Sequence, residues 1–307
     1  MALSKFLDPK NDVAFKKIFG SEKHKDILIH FINDVLELKD NDQIDEVEFL
    51  STIQDAEIAS KKQSIVDVLC RDKNGVQIIV EMQVAPTKGF EKRAQYYAAK
   101  AYSRQLNKGQ EADGLYENLK AVIFIAIADY IVFPDKTEFK SEHVILDKNS
   151  HEHDLQDFSF TFVELPKFKK EKIEELDTTL DKWCYFFKYA AKTSEADMQK
   201  IASSYKTIGD AYEVVNQYNW NEQQLIAYEQ ETKRVWDNRS VLEFQLDKAK
   251  AEGMEQGMEQ GMEQGKAERD IEIAKGMILK NYPLSDISAL TGLSLVELQT
   301  LKSHAKA

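Results

Sequence analysis

Cysteine is almost absent, with Cys70 and Cys184 the only two in 307 residues. They form no CxxC pair and no disulfide framework, which suits a reducing compartment and leaves both thiols to packing. Long apolar runs are missing too. The longest, AVIFIAIA at 121–128, is ended by Asp129 and falls far short of the ~20 residues that cross a bilayer. The opening MALSKFLDPKNDVAF holds no apolar signal-peptide core, so a cytoplasmic protein with no membrane partner is expected. An excess of positive charge is also lacking, since the net charge is −12. A chain this acidic does not grip nucleic acid or anionic membrane indiscriminately, and any such contact needs a local basic patch.

What is present is 43% hydrophobic and 31% charged residues, the balance of a folded chain of one to three domains. A capped helix pair is expected over residues 8–37, with Asp12 or Asn11 as first cap and Gly20 as first stop. VEFLS at 47–51, KAVIFIAIA at 120–128, EHVILD at 142–147 and FSFTFVELP at 158–166 read as strands. Residues 89–108 read as a helix closed by Gly109, and from about 169 to 250 the pattern is helical throughout. KAEG is then followed by three copies of MEQG, placing glycine at 253, 257, 261 and 265. Each glycine costs roughly 1 kcal/mol against alanine, so the segment reads as a weakly helical spacer. LSDISALTGLSLVELQTLK reads as helix, turn and helix, with Ser285 and Ser294 as caps and Gly292 as the break. Its second helix carries one lysine and one glutamate, a poor groove reader, so an interaction or dimerisation module is expected.

The informative stretch is IVDVLCRDKNGVQIIVEMQV, residues 65–84. Asn74-Gly75 signals a hairpin. A two-residue turn would place Asp67 opposite Met82. A three-residue loop, with Gly75 at its left-handed third position, places Asp67 directly across from Glu81. Only the second register gathers Val66, Val68, Cys70, Val76, Ile78, Val80, Met82 and Val84 on one apolar face. The other face then holds Asp67, Glu81 and Gln83 beside Ile65, Leu69 and Ile79. Two carboxylates directly opposite repel, and a divalent cation between them turns that penalty into a site. Hard oxygen donors suit Mg²⁺ or Mn²⁺, which would support phosphodiester hydrolysis. A solvated sheet face with ordinary surface charges stays open as the plainer reading.

Residues 88–108 carry Lys88, Lys92, Arg93, Lys100, Arg104 and Lys108 against one acid, Glu91. Lys92, Tyr96, Lys100, Arg104 and Lys108 recur every fourth residue. Arg93, Tyr97 and Gln105 lie beside this stripe, a candidate surface for tracking phosphates. His151 and His153 form an HxH in a polar stretch and read as a surface loop.

In this order the residues resemble the Rpn family, recombination-promoting nucleases also labelled transposases, within the PD-(D/E)XK superfamily. The matching blocks are LDPKNDVAFKKIFG at 7–20, SIVDVLCRDKNGVQIIVEMQ at 64–83, FEKRAQYYAAKAYSRQLNKGQ at 90–110, YENLKAVIFIAIADY at 116–130 and FTFVELPKF at 160–168. The repeats near the C-terminus match as well. The resemblance implies a restriction-endonuclease-like α/β core, a central mixed sheet flanked by helices, with a metal-dependent DNA endonuclease site. Asp67, Glu81 and Gln83 would be catalytic, and Asp67, Glu81 and the Met82 carbonyl would hold Mg²⁺ (or Mn²⁺). Lys92, Arg93, Tyr97, Lys100, Arg104 and Gln105 would bind DNA, with Asp12 and Lys16 as auxiliaries. Gln83 stands where the D…(D/E)xK signature of the PD-(D/E)XK nucleases has lysine. The expected layout is a nuclease core at 1–168, a helical extension at 169–249, a repeat linker at 250–269 and a helix-turn-helix-like module at 270–307. A homodimer or higher homo-oligomer is expected, serving recombination, mobile DNA or phage defence. The alternative is a catalytically silent nucleic-acid or protein-interaction module on the same fold.

Overall fold

A computed structural model describes residues 5–54, 64–106 and 116–304. The chain opens with α1 (Asp12–Phe19) and α2 (Lys25–Leu36). The cap of α1 is Asn11, whose side chain accepts from Val13 N, and Asp12 sits in the first turn. Gly20 closes the helix, donating its N–H to the Lys16 carbonyl. Five strands follow: β1 (Val47–Phe49), β2 (Ile53–Gln54), β3 (Ser64–Ile65), β4 (Val68–Asp72) and β5 (Gln77–Gln83). Next come α3 (Phe90–Ser103), β6 (Val122–Ala128), β7 (Lys140–Val144) and β8 (Phe158–Glu164). Lys108 and the helix stop expected at Gly109 lie outside the described residues. The strand read as EHVILD stops at Val144.

One mixed sheet has the order β1-β4-β5-β6-β8-β7, with β5, β6 and β8 parallel and the other pairings antiparallel. β2 and β3 pair separately. In the β4–β5 hairpin, Val68 pairs with Val80 and Arg71 with Gln77. The loop is the three-residue form. Gly75 N–H and Val76 O bond to the Asp72 backbone, and Gly75 sits at φ +86°, where a side chain would be strained.

The helices after residue 168 share a core with the sheet. They are α4 (Thr179–Tyr189), α5 (Glu195–Ser204), α6 (Lys206–Val215) and α7 (Glu222–Leu279). Helix does not start at residue 169. α4 begins at a capping box in which Thr178 and Asp181 exchange side-chain-to-backbone bonds, and only a short 3-10 turn, Ile173–Glu175, precedes it. On one side of the sheet Val68, Cys70, Ile78, Val80, Met82, Ile125 and Ile127 pack among Phe15, Phe19, Phe31, Trp183 and Phe187. On the other, Leu69, Ile79, Phe124, Ala126 and Phe162 meet Phe90, Ala94, Ala98 and Ala101 of α3. Val66, expected with the first group, packs in the second. Both cysteines are buried and free, as packing residues.

The chain divides into two compact units, Met1–Val235 and Trp236–Ala307. In the second, the MEQG repeats are exposed helix within α7. The segment holds no proline, and the glutamates, methionines and glutamines between the glycines are good helix formers. Met254, Met258 and Met262 are exposed there. The end of α7 packs Ala274 and Ile278 against Ile287 of α8 (Leu284–Thr291) and Leu298 of α9 (Leu295–His304). Gly292 breaks the pair at φ +72°. Ser294 caps α9, exchanging bonds with Glu297. Ser285 lies inside the first turn of α8, after Pro283 at the cap position.

Candidate active site

Continuing the hairpin register one residue past Val68–Val80 brings Asp67 opposite Glu81, and the side chains meet there. Asp67 N–H donates to Glu81 Oε2 at 3.1 Å, and Met82 N–H donates to Asp67 Oδ2 at 2.8 Å. One oxygen of each carboxylate is thereby tied to the opposite strand's backbone. Asp67 Oδ1, Glu81 Oε1 and the Met82 carbonyl are left for other partners. This face is not solvated, because α3 covers the sheet and leaves Glu81 only 4% exposed. Burial pushes the Asp67 carboxyl up, and the nearby Asp12 charge adds to it, against the Met82 N–H, Lys16 and Arg93. Burial pushes Glu81 up as well, and the Asp67 charge adds to the rise. Without a further cation the pair therefore holds on to protons.

Gln83 and two basic side chains complete the cluster. Gln83 Nε2 donates to Glu81 Oε1 at 3.0 Å and to the Met82 carbonyl at 3.1 Å. Its Oε1 accepts from Arg93 Nη2. Arg93 reaches in from α3 with Nη2 4.0 Å from Glu81 Oε1 and its guanidinium over the rings of Phe90 and Tyr97. From α1, Lys16 pairs with Asp12 at 2.7 Å and lies 3.8 Å from Asp67 Oδ1. Asp67, Glu81, Gln83, Arg93, Asp12 and Lys16 are thus drawn together, with Tyr97 alongside.

The rest of the expected DNA set lies elsewhere on α3. Lys92 and Arg104 are exposed, and Lys100 is half-buried with its amine over the Tyr96 ring. Both ends of the Gln105 amide are engaged by the backbone of Lys120, at 2.8 and 2.9 Å. Sequence reasoning missed Asp129, whose backbone N–H holds the Gln83 carbonyl at 2.8 Å. Nothing but its place at the end of a strand marks it. His151 and His153 lie in the loop between β7 and β8, and no group of three or more His, Cys, Asp or Glu suited to a metal occurs among the described residues.

The donor set fits a hard divalent ion. Asp67 Oδ1, Glu81 Oε1 and the Met82 carbonyl are all oxygen, and the Gln83 amide nitrogen bridges two of them. Two buried, proton-retaining carboxylates gain from such a charge.

The model of the PD-(D/E)XK nuclease family transposases matches residues 9–245. The chain belongs to this family. The mixed sheet and its flanking helices are its restriction-endonuclease-like α/β fold. Membership points to a nuclease-like function, and nucleases of this superfamily typically use divalent metal ions. No curated protein and no solved structure matches the chain. Among the described residues no helix is long and apolar enough to cross a membrane.

Proposed function

We propose that this member is a DNA endonuclease dependent on Mg²⁺ or Mn²⁺. The observation that carries the reading is the buried Asp67–Glu81 pair, interlocked through the hairpin backbone with both carboxyls pushed toward the protonated state. Asp67, Glu81 and the Met82 carbonyl would hold the ion, which would activate water and offset charge growing on the phosphodiester. Gln83 orients Glu81. Lys16 would be an auxiliary charge on the Asp67 side of the site. Lys92, Lys100 and Arg104 would track the DNA backbone along α3, with Arg93 and Tyr97 nearest the cut. On an acidic chain such contacts must be local, and they carry no base information. The C-terminal helical module would serve self-association, with the repeats as spacer. The DNA that is cut would decide between roles in recombination, mobile DNA and phage defence.

Incubating supercoiled plasmid with purified protein in Mg²⁺, Mn²⁺ or EDTA tests this directly. Cleavage is expected with either metal and none with EDTA. Asp67→Asn and Glu81→Gln should abolish it while the protein stays folded. Wild-type rates in either variant would remove the site assignment. A folded wild type that binds metal and duplex yet cuts nothing would favour the silent interaction module.

A further inference from the structure

The signature that names the PD-(D/E)XK superfamily ends in lysine where this chain has Gln83, so the positive charge near the reacting phosphate has to come from elsewhere. Lys16 and Arg93 lie within 4.0 Å of a site carboxylate, and Lys92 adjoins Arg93 on α3. Lys92 is exposed. The amine of Lys16 is paired with Asp12 at 2.7 Å and faces Asp67, on the far side of the carboxylate pair from Gln83. Arg93 differs from both. Its Nη2 bonds to the side chain at position 83 and stands 4.0 Å from Glu81. Its plane is braced at 5.0 Å from the Phe90 ring centroid and 5.9 Å from that of Tyr97. Its Nε is buried and has no hydrogen-bond partner.

That orphan donor is the telling feature. Buried N–H groups are rarely left unpaired, and an arginine edge is a rigid fork that suits a carboxylate or phosphate. Nε–H and Nη2 lie on one edge of the guanidinium, so Gln83 occupies one tooth of the fork and the other has no protein partner. We propose that Arg93 supplies from α3 the cation that the signature places at position 83, and that its unpartnered Nε–H takes a nonbridging oxygen of the scissile phosphodiester. The inference rests on the nuclease reading. It also accounts for the glutamine. An amide accepts from Arg93 and donates to Glu81 and the Met82 carbonyl at once. A lysine at 83 has no acceptor and would repel the guanidinium.

The test uses the full-length chain as wild type, Arg93→Ala, Arg93→Lys, Gln83→Lys and the double variant Arg93→Ala/Gln83→Lys. Each is measured for plasmid cleavage in Mn²⁺, for affinity toward a short labelled duplex in Ca²⁺, and for Ca²⁺ affinity alone. Arg93→Ala should cut ~100-fold more slowly or worse, as when one transition-state donor is removed, with Ca²⁺ affinity nearly unchanged. Gln83→Lys alone should fall below wild type. The double variant should recover about tenfold over Arg93→Ala, since a lysine at 83 then replaces the missing charge without a guanidinium to repel. Arg93→Lys keeps the charge without the fork and should fall between wild type and Arg93→Ala. The proposal is overturned if Arg93→Ala cuts at nearly the wild-type rate. It is equally overturned if the double variant does no better than Arg93→Ala, or if Ca²⁺ affinity drops in step with cleavage, since Arg93 then only holds the site's shape. Should wild type itself cut nothing, the nuclease reading fails separately, and duplex affinity decides. Weaker binding by Arg93→Ala, partly kept in Arg93→Lys, supports the phosphate contact, and unchanged binding refutes it.

Discussion

Glu164 and Glu81 are both buried glutamates on parallel strands of the same sheet, separated by β6. Glu164 is fully provided for. Its Oε1 accepts from the backbone N–H groups of Val132 and Phe133 at 2.6 and 3.0 Å, and its Oε2 pairs with Lys167 at 2.7 Å. Glu81 has one backbone donor, at 3.1 Å, and one amide, and the cation beside it is Arg93 at 4.0 Å. A second carboxylate, Asp67, faces it across the hairpin. The first arrangement fixes a turn and leaves no room for a ligand's charge. The second leaves negative charge under-compensated in a place that excludes water, the condition under which a buried acid serves binding or chemistry. Burial alone does not tell the two apart; the completeness of the partner set does.

The largest effect that would break this contrast is on stability. Glu164→Gln removes the carboxylate partner of Lys167, whose side chain is only 8% exposed and keeps the Phe133 carbonyl as its other acceptor. Leaving that ammonium buried without its partner should cost about 3–5 kcal/mol, measured by urea unfolding. Asp67→Asn keeps an acceptor for Met82 N–H and removes the like-charge pairing. In EDTA it should change stability by no more than about 1 kcal/mol, with stabilisation at alkaline pH. Equal costs at the two positions would mean that the Asp67–Glu81 pair is structural after all.

The next effect is in the pH dependence. Both site carboxyls titrate above their ordinary range in the folded chain. Between the unfolded and folded values the folded state holds more protons. Metal-free stability is therefore fully present below the usual carboxylate pKa and is lost as pH rises through the raised values. Each proton so held makes stability fall by about 1.4 kcal/mol per pH unit across its window. The slope should be shallower in Asp67→Asn than in wild type and should vanish when Mn²⁺ is added. By the same linkage metal binding releases protons, so affinity tightens toward alkaline pH. Identical slopes in wild type and Asp67→Asn would show that the pair is not under electrostatic stress.

Much of this geometry is legible in the sequence, and the reasons differ by element. Asn74-Gly75 and the period-two run of β-branched residues define the hairpin register, because a slip of one residue would turn every apolar side chain to the wrong face. That register alone sets Asp67 against Glu81. The cover over the pair was not legible. Ala94, Ala98 and Ala101 form a small-residue face on α3 that lets the helix lie close to the sheet, but the sequence does not say which sheet face it meets. Arg93 reads as one more cation in a basic helix. Only the bond to Gln83, ten residues earlier, separates it from its neighbour Lys92. The contribution of α1 was visible only as a family block, since Lys16 and Asp67 are distant in sequence. The repeats read as a helical spacer from sequence, and they are helix in the structure, carried by the residues between the glycines.

The smallest effect concerns Lys16, the cation that sits on the Asp67 side. At 3.8 Å from Asp67 Oδ1 and 2.7 Å from Asp12 in an i,i+4 pair, it is half-exposed, unlike the enclosed Lys167. Solvent screens such pairs, so Lys16→Met should cost no more than about 0.5 kcal/mol in urea unfolding. Its influence on metal should run the other way. A fixed positive charge beside an Asp67 oxygen opposes a divalent ion at that oxygen, and its removal should tighten Mn²⁺ binding a few-fold by calorimetry, most visibly at low salt where screening is least. Weaker Mn²⁺ binding in Lys16→Met would mean that the lysine holds Asp67 in its ligating rotamer. In that case α1 would belong to the metal site proper, and the contrast with Glu164 would narrow, because Asp67 too would depend on a lysine to hold it in place.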